Sequence, residues 1–131
     1  MVSFKKILFF TLLLTIFPLS KKVFAQTTTD TYEKLWKMIH SDTISKENKL
    51  YYLEVYYRKA QLENNVLEEY RALEKKSYIV PYNDAVLLLK KMEPLIGKIS
   101  NDSLKGYFLN LNTGLYYTNR NFETALKYAI K

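Results

Sequence analysis

The sequence predicts an all-α protein in which antiparallel helix pairs stack into a short α-solenoid. Three observations carry this prediction. Between Gln26 and Lys131 only Pro81, Pro94, Gly97, Gly106 and Gly114 punctuate the chain, too few turn formers for strands joined by tight turns. Apolar side chains recur at spacings of three and four, which places them on one helix face. Helix-capping residues such as Asp30, Ser45 and Ser100-Asn101-Asp102 separate the apolar stretches, where their side chains close free backbone N–H groups.

Residues 1–25 read as an address. Lys5 and Lys6 precede an uncharged run from Ile7 to Phe17, Pro18 ends it, and Val23-Phe24-Ala25 has the pattern of a signal-peptidase site. The expectation is a cleaved signal peptide and export to the periplasm, with a mature chain from Gln26. The alternative is a membrane anchor formed by residues 7–19, although a spanning helix needs roughly 20 apolar residues. Lys21 and Lys22 interrupt this run.

The leader also changes the composition. The whole chain of 131 residues carries 20 Lys and Arg against 13 Asp and Glu, a formal +7, with 12 Tyr and 7 Phe. Lys5, Lys6, Lys21, Lys22 and five of the Phe fall in residues 1–25 with no acid, leaving 16 basic and 13 acidic residues, net +3. All the tyrosines remain. Cysteine is absent, which excludes disulfide frameworks, Cys-type zinc sites and thiol nucleophiles.

Residues 26–29 form a polar lead-in, and the helical domain spans 30–131. Asp30 with Glu33 has capping-box spacing for a first helix through His40, with Leu35 and Met38 on one face. A second helix runs from Ser45 to about Glu63, with a stripe of Leu50, Leu53, Tyr57 and Ala60 widened by Tyr52, Val55 and Tyr56. Asn64-Asn65 ends it. A third carries Val66, Tyr70, Leu73 and Ser77 inward and Glu68, Glu69, Arg71 and Glu74 outward, and stops before Pro81. Pro81 suits the start of a fourth, which buries Ala85, Leu88, Leu89, Met92 and Ile96. Pro94 is expected to kink that helix or loosen its last turn, and Gly97 to stop it. Leu104, Phe108, Leu111 and Leu115 give a fifth its core face. After a turn at 118–121, Phe122, Ala125, Leu126 and Ala129 begin a sixth. The sequence carries no stop signal for it, so it reads either as a final packed helix or as part of a longer protein.

Two of these helix starts resemble each other. Tyr82 and Ala85 at one, and Phe122 and Ala125 at the other, stand 40 positions apart, each pair an aromatic followed three residues later by alanine. With Tyr116 late in the preceding helix, the segment Tyr116 to Ala125 resembles a tetratricopeptide repeat. In that family an aromatic opens the second helix of each pair and a small alanine lets it approach the first. The resemblance implies repeat packing by Tyr82, Ala85, Tyr116, Phe122 and Ala125, and it covers roughly Asp30 to Lys131 as about two and a half to three helix pairs. Departures are visible: the usual period is about 34 residues, and Arg120 stands where a turn glycine is common. An unrelated helical bundle remains the alternative, and either way each helix pair needs neighbours to bury its apolar face.

No catalytic constellation is visible. His40 is the single histidine, without the partners a metal site requires. Glu68 and Glu69 are sequence neighbours that point to different sides of a helix. The three glycines are isolated, so no phosphate-cradling loop exists. Lys75-Lys76 and Lys90-Lys91 are flanked by Glu74 and Glu93, which denies nucleic acid the continuous basic stripe it needs. No cofactor and no nucleic-acid contact is expected from this chain.

Tyrosine is the informative residue. Tyr51, Tyr52, Tyr56 and Tyr57 cover most sides of the second helix. Some fill layers between helices with their hydroxyls at the wet edge, and others are candidates for a groove, since tyrosine is enriched where proteins meet. Tyr52, Tyr56 and Tyr117 are the candidate contacts for a protein or peptide partner. The leader and the tyrosine-rich irregular repeats together also resemble the periplasmic sensor region of membrane-anchored AraC- or LuxR-type regulators. That resemblance implies a downstream spanning helix and helix-turn-helix domain. A stand-alone periplasmic scaffold and a helical-bundle carrier of a small ligand are the alternatives. Membrane contact is expected only through an uncleaved leader or such a downstream segment.

Overall fold

The computed structural model describes residues 31–131, so the leader, the lead-in and Asp30 lie outside the described residues. Within them the chain is all-helical. The elements are α1 (Tyr32–His40), α2 (Lys46–Leu62), α3 (Val66–Ser77), α4 (Tyr82–Lys98), α5 (Asp102–Thr118) and α6 (Phe122–Ala129). Each packs against the helix before it, and short turns reverse the chain each time, so the array is a short α-solenoid.

Local chemistry sets the helix starts. Thr31 caps α1 by accepting a hydrogen bond from the Lys34 N–H at 3.2 Å, one residue later than the expected cap at Asp30. Ser45, Asn65, Asn101 and Asn121 cap α2, α3, α5 and α6 in the same way. Pro81 precedes α4 without a side-chain cap, where its missing N–H leaves nothing unsatisfied.

Two turns share one geometry. Asn64 (φ 52°) between α2 and α3, and Arg120 (φ 60°) between α5 and α6, are both left-handed. The next residue then donates its N–H back to the helix, Asn65 to the Ala60 carbonyl and Asn121 to the Tyr116 carbonyl, each at 2.9 Å. Asparagine tolerates this conformation, whereas arginine carries the steric penalty of a side chain there. The turn between α3 and α4, leading to Tyr82, has no left-handed residue.

Two clusters make the core. The first joins α1, α2 and α3 through Leu35, Ile39, Leu53, Val55, Tyr56 and Ala72. The second joins α3 to α6 through Tyr70, Leu73, Leu88, Leu89, Met92, Ile96, Phe108, Tyr116 and Ala125. α3 faces both, with Ala72 on one side and Tyr70 and Leu73 on the other, and half-buried Tyr57 touches each.

Several expectations need correction. Met38 and Tyr57 are half-buried, while Ile39 and Tyr56 take the core positions. On α3, Glu68, Glu69 and Glu74 are half-buried, not outward, and Arg71 alone of that set is exposed. α4 runs through both Pro94 and Gly97 and ends at Lys98, where Ile99 turns extended; Gly97 is not left-handed and supplies no stop. The fully covered line of α5 is Phe108, Asn112 and Tyr116, with Leu104, Leu111 and Leu115 only half-buried beside it. Asn112 is half satisfied there: its Nδ2 donates to the Phe108 carbonyl at 2.8 Å, while its Oδ1 is buried without a partner. On α6 only Ala125 is buried; Phe122, Leu126 and Ala129 are exposed.

Candidate functional site

The sequence-derived contact residues fall in different places. Tyr56 is a core residue, 3% exposed, so it presents no surface to a partner. Its ring packs on Tyr32 and Trp36 from α1, and its hydroxyl donates to the Glu68 carboxylate on α3. Burial, reinforced by that carboxylate, pushes the Tyr56 hydroxyl well above its ordinary value. Tyr52 is half-buried against the first cluster, edge-on to Tyr51 with ring centres 5.5 Å apart. Tyr117, late in α5 and no part of that cluster, is 63% exposed and packs edge-on against Phe122.

The repeat-packing residues divide as well. Ala85 and Ala125 are buried where α4 and α6 approach their neighbours. Tyr116 is 9% exposed and sits between half-buried Tyr82, edge-on at 6.4 Å, and Tyr128, stacked at 5.8 Å. Phe122 is 57% exposed and packs no layer, which departs from the role the resemblance implies. With Leu126 and Ile130 it forms an apolar row at four-residue spacing on the outer side of α6.

Among the described residues a concave feature lies elsewhere. An open groove of about 460 Å³ runs between the end of α3 and one face of α5. Ser77 and Tyr78 form one wall; Tyr107, Asn110, Leu111, Gly114, Leu115 and Thr118 form the other. A Cβ at Gly114 would meet nothing within 4 Å, so the floor there is open space. The Ser77 and Thr118 hydroxyls are taken by their own helices, donating to the carbonyls of Glu74 at 2.7 Å and Gly114 at 3.0 Å. The polar atoms that bridge the groove are the Tyr78 and Tyr107 hydroxyls, 2.7 Å apart.

Behind this bridge is a charge. Glu74, half-buried, stands one helical turn before Tyr78 on the same α3 row. Burial pushes the Glu74 carboxyl above the usual range, against the opposing pull of Tyr107, Lys75 and Arg71. Its neighbours on α3 are treated differently. Glu68 pairs with Arg71 at 2.8 Å, and Glu54 of α2 pairs with Arg58 and Lys76, both at 3.1 Å. Burial opposes the Glu54 charge, but the two cations outweigh it and hold that carboxyl below its ordinary value. Glu74 has no Lys or Arg at ion-pair distance among the described residues. Beside it lies the Tyr70 hydroxyl, fully buried and without a hydrogen-bond partner.

The groove residues were missed in the sequence because they come from two helices that are not consecutive. One signal was available: Tyr70, Glu74 and Tyr78 recur at four-residue spacing, which sets a carboxylate between two rings on a single helix row. His40, the lone histidine, is exposed and donates from Nδ1 to the Trp36 carbonyl at 3.0 Å. Among the described residues no three His, Asp or Glu converge to hold a metal ion, and no helix is long and apolar enough to cross a membrane.

Fold and site together define a class: an all-α stack of antiparallel helices with an open, tyrosine-walled groove between two of them. Comparison with protein-family models gave no match, and neither curated proteins nor solved structures showed significant similarity to the chain.

Proposed function

We propose that this chain is a non-catalytic, exported helical-repeat module that binds a protein or peptide in the groove between α3 and α5. One observation carries the reading. The groove is open along one side and carries Tyr78 and Tyr107 on its two walls, and tyrosine is enriched among the residues that anchor a partner's chain. The tetratricopeptide-like residues and the leader pattern support the same reading from the sequence, as does the likeness to the sensor region of a membrane-anchored regulator. A stand-alone scaffold would use the same groove. The carrier alternative draws on its volume, which falls within the roughly 300–1,000 Å³ of small-ligand sites, but an open wall suits an extended chain better than an enclosed molecule.

Gly114→Leu is the test of the site, because the new side chain enters open space and narrows the groove. Peptides selected against the wild-type protein are expected to lose binding to this variant while its circular dichroism is unchanged. Unchanged binding would place the partner surface elsewhere, with the exposed row on α6 and Tyr117 the next surface to probe. Intact mass of the protein recovered from the envelope tests the export reading: a mature chain starting at Gln26 is expected, and a chain retaining Met1 would refute cleavage.

A further inference from the structure

We propose that the exposed apolar row of α6 is a self-association surface, on which a second copy of this chain packs the same row in antiparallel order. Phe122, Leu126 and Ile130 are 57%, 62% and 76% exposed, and Tyr117 extends the patch by setting its ring edge-on to Phe122 at 5.4 Å. The opposite side of α6 is the one that packs: Ala125 is buried, and half-buried Tyr128 stacks on Tyr116. Among the described residues the outer row therefore belongs to no layer of the stack, and a contiguous exposed apolar patch marks an interaction surface.

Charge order selects the occupant. One position after each residue of the row stands a charged one, Glu123, Lys127 and Lys131, so the row has an edge that runs from negative to positive. Glu123 and Lys127 are both exposed and pair along their own helix at 3.0 Å. A two-fold axis brings the same patch of two copies together. When Leu126 meets Leu126 in antiparallel order, Phe122 meets Ile130, and Glu123 falls between Lys127 and Lys131 of the second copy. Parallel order would set Glu123 against Glu123 and Lys127 against Lys127, and facing like charges are costly. An anionic lipid surface fits less well, because Glu123 stands on the edge that would meet its headgroups. The patch is small beside the roughly 800 Å² per partner of a stable complex, so the dimer is weak and reversible, with a Kd on the order of 100 μM.

Sedimentation equilibrium of the purified protein, run up to about ten times that concentration, is the experiment. The wild type is expected to shift from monomer to dimer mass. Leu126→Gln, at an exposed position, is expected to weaken association at least about tenfold with circular dichroism unchanged. Glu123→Lys and Lys127→Glu are each expected to weaken it as well, and an equal mixture of the two to recover wild-type affinity. Both variants lose the pair within α6, and so does the mixture, so recovery reads the contact between copies alone. A wild type that stays monomeric throughout would overturn the proposal, and flotation of that monomer with phosphatidylglycerol vesicles would assign the row to lipid instead. Association undiminished by Leu126→Gln would overturn the choice of face. A mixture no tighter than its components would overturn the antiparallel order.

Discussion

Tyr56 and Tyr70 are both buried, at 3% and 0% exposure, and deleting the same hydroxyl from each is expected to act in opposite directions. In Tyr56→Phe the lost group donates to the Glu68 carboxylate. A hydrogen bond to a charged acceptor contributes about 1.5–3 kcal/mol. Glu68 keeps Arg71 at 2.8 Å, so the lower end applies and about 1.5 kcal/mol is expected. In Tyr70→Phe the lost group has no partner. An unsatisfied buried hydroxyl costs about 1–3 kcal/mol, so its removal is expected to stabilise by about 1 kcal/mol. For a domain of this size 1 kcal/mol moves the Tm by about 4–8 °C. Thermal unfolding followed at 222 nm should therefore show Tyr56→Phe about 6–12 °C below the wild type and Tyr70→Phe about 4–8 °C above it. A fall in both variants would refute the reasoning, because it would mean that the Tyr70 hydroxyl is satisfied in the folded protein.

Three further outcomes follow from single residues. Arg120→Gly removes a side chain from a left-handed position and is expected to stabilise by about 0.5–1 kcal/mol in urea unfolding. Met92→Ala empties a fully buried site in the second cluster and is expected to cost about 2–5 kcal/mol, read as a Tm drop of at least about 8 °C. Glu54 and Glu74 should give opposite pH responses. The Glu54 carboxyl lies below its unfolded value, so its stability contribution is present above the ordinary carboxylate range and is lost as the pH falls through its lower folded value. The Glu74 carboxyl lies above, so acidification through that range favours the folded state, and Glu74→Gln is expected to raise the neutral-pH Tm while abolishing this acid gain. Thermal melts between pH 4 and pH 7 check both, and a lower neutral-pH Tm for Glu74→Gln would refute the assignment of its shift to burial.

The helices and most of their caps were legible because capping is local chemistry, as Ser45, Asn101 and Pro81 show. The apolar face of α4 was legible in full, since one side of it meets the core and its leucines mark that side. α3 was harder: a helix between two clusters buries Ala72 on one side and Tyr70 on the other, which blurs the period of a single stripe. On α5 hydropathy favours Leu104, Leu111 and Leu115, yet Asn112 takes the covered position, its amide bonding one turn back along its own helix. On α6 the pattern named an inward face, but among the described residues α5 is the neighbour that packs on this helix, so its second apolar side stays exposed. The groove was illegible because it arises from the approach of α3 and α5, which are not consecutive, and a single-helix pattern carries no information about that spacing.

That same approach makes the groove a place where binding and folding are linked. α5 packs less extensively on α4 than the other neighbours pack on each other, and the tyrosine hydroxyl bridge ties its side chains to α3. An occupant would add contacts across α3 and α5 together, so it would stabilise the part of the stack where neighbouring helices pack least. A ligand present at 100 times its Kd adds about 2.7 kcal/mol to the folded state, roughly 10–20 °C in a domain this small. Occupancy should therefore be readable as a thermal shift even for a weak peptide. The shift should be smaller in Gly114→Leu, whose new side chain enters the open space of the groove and narrows it.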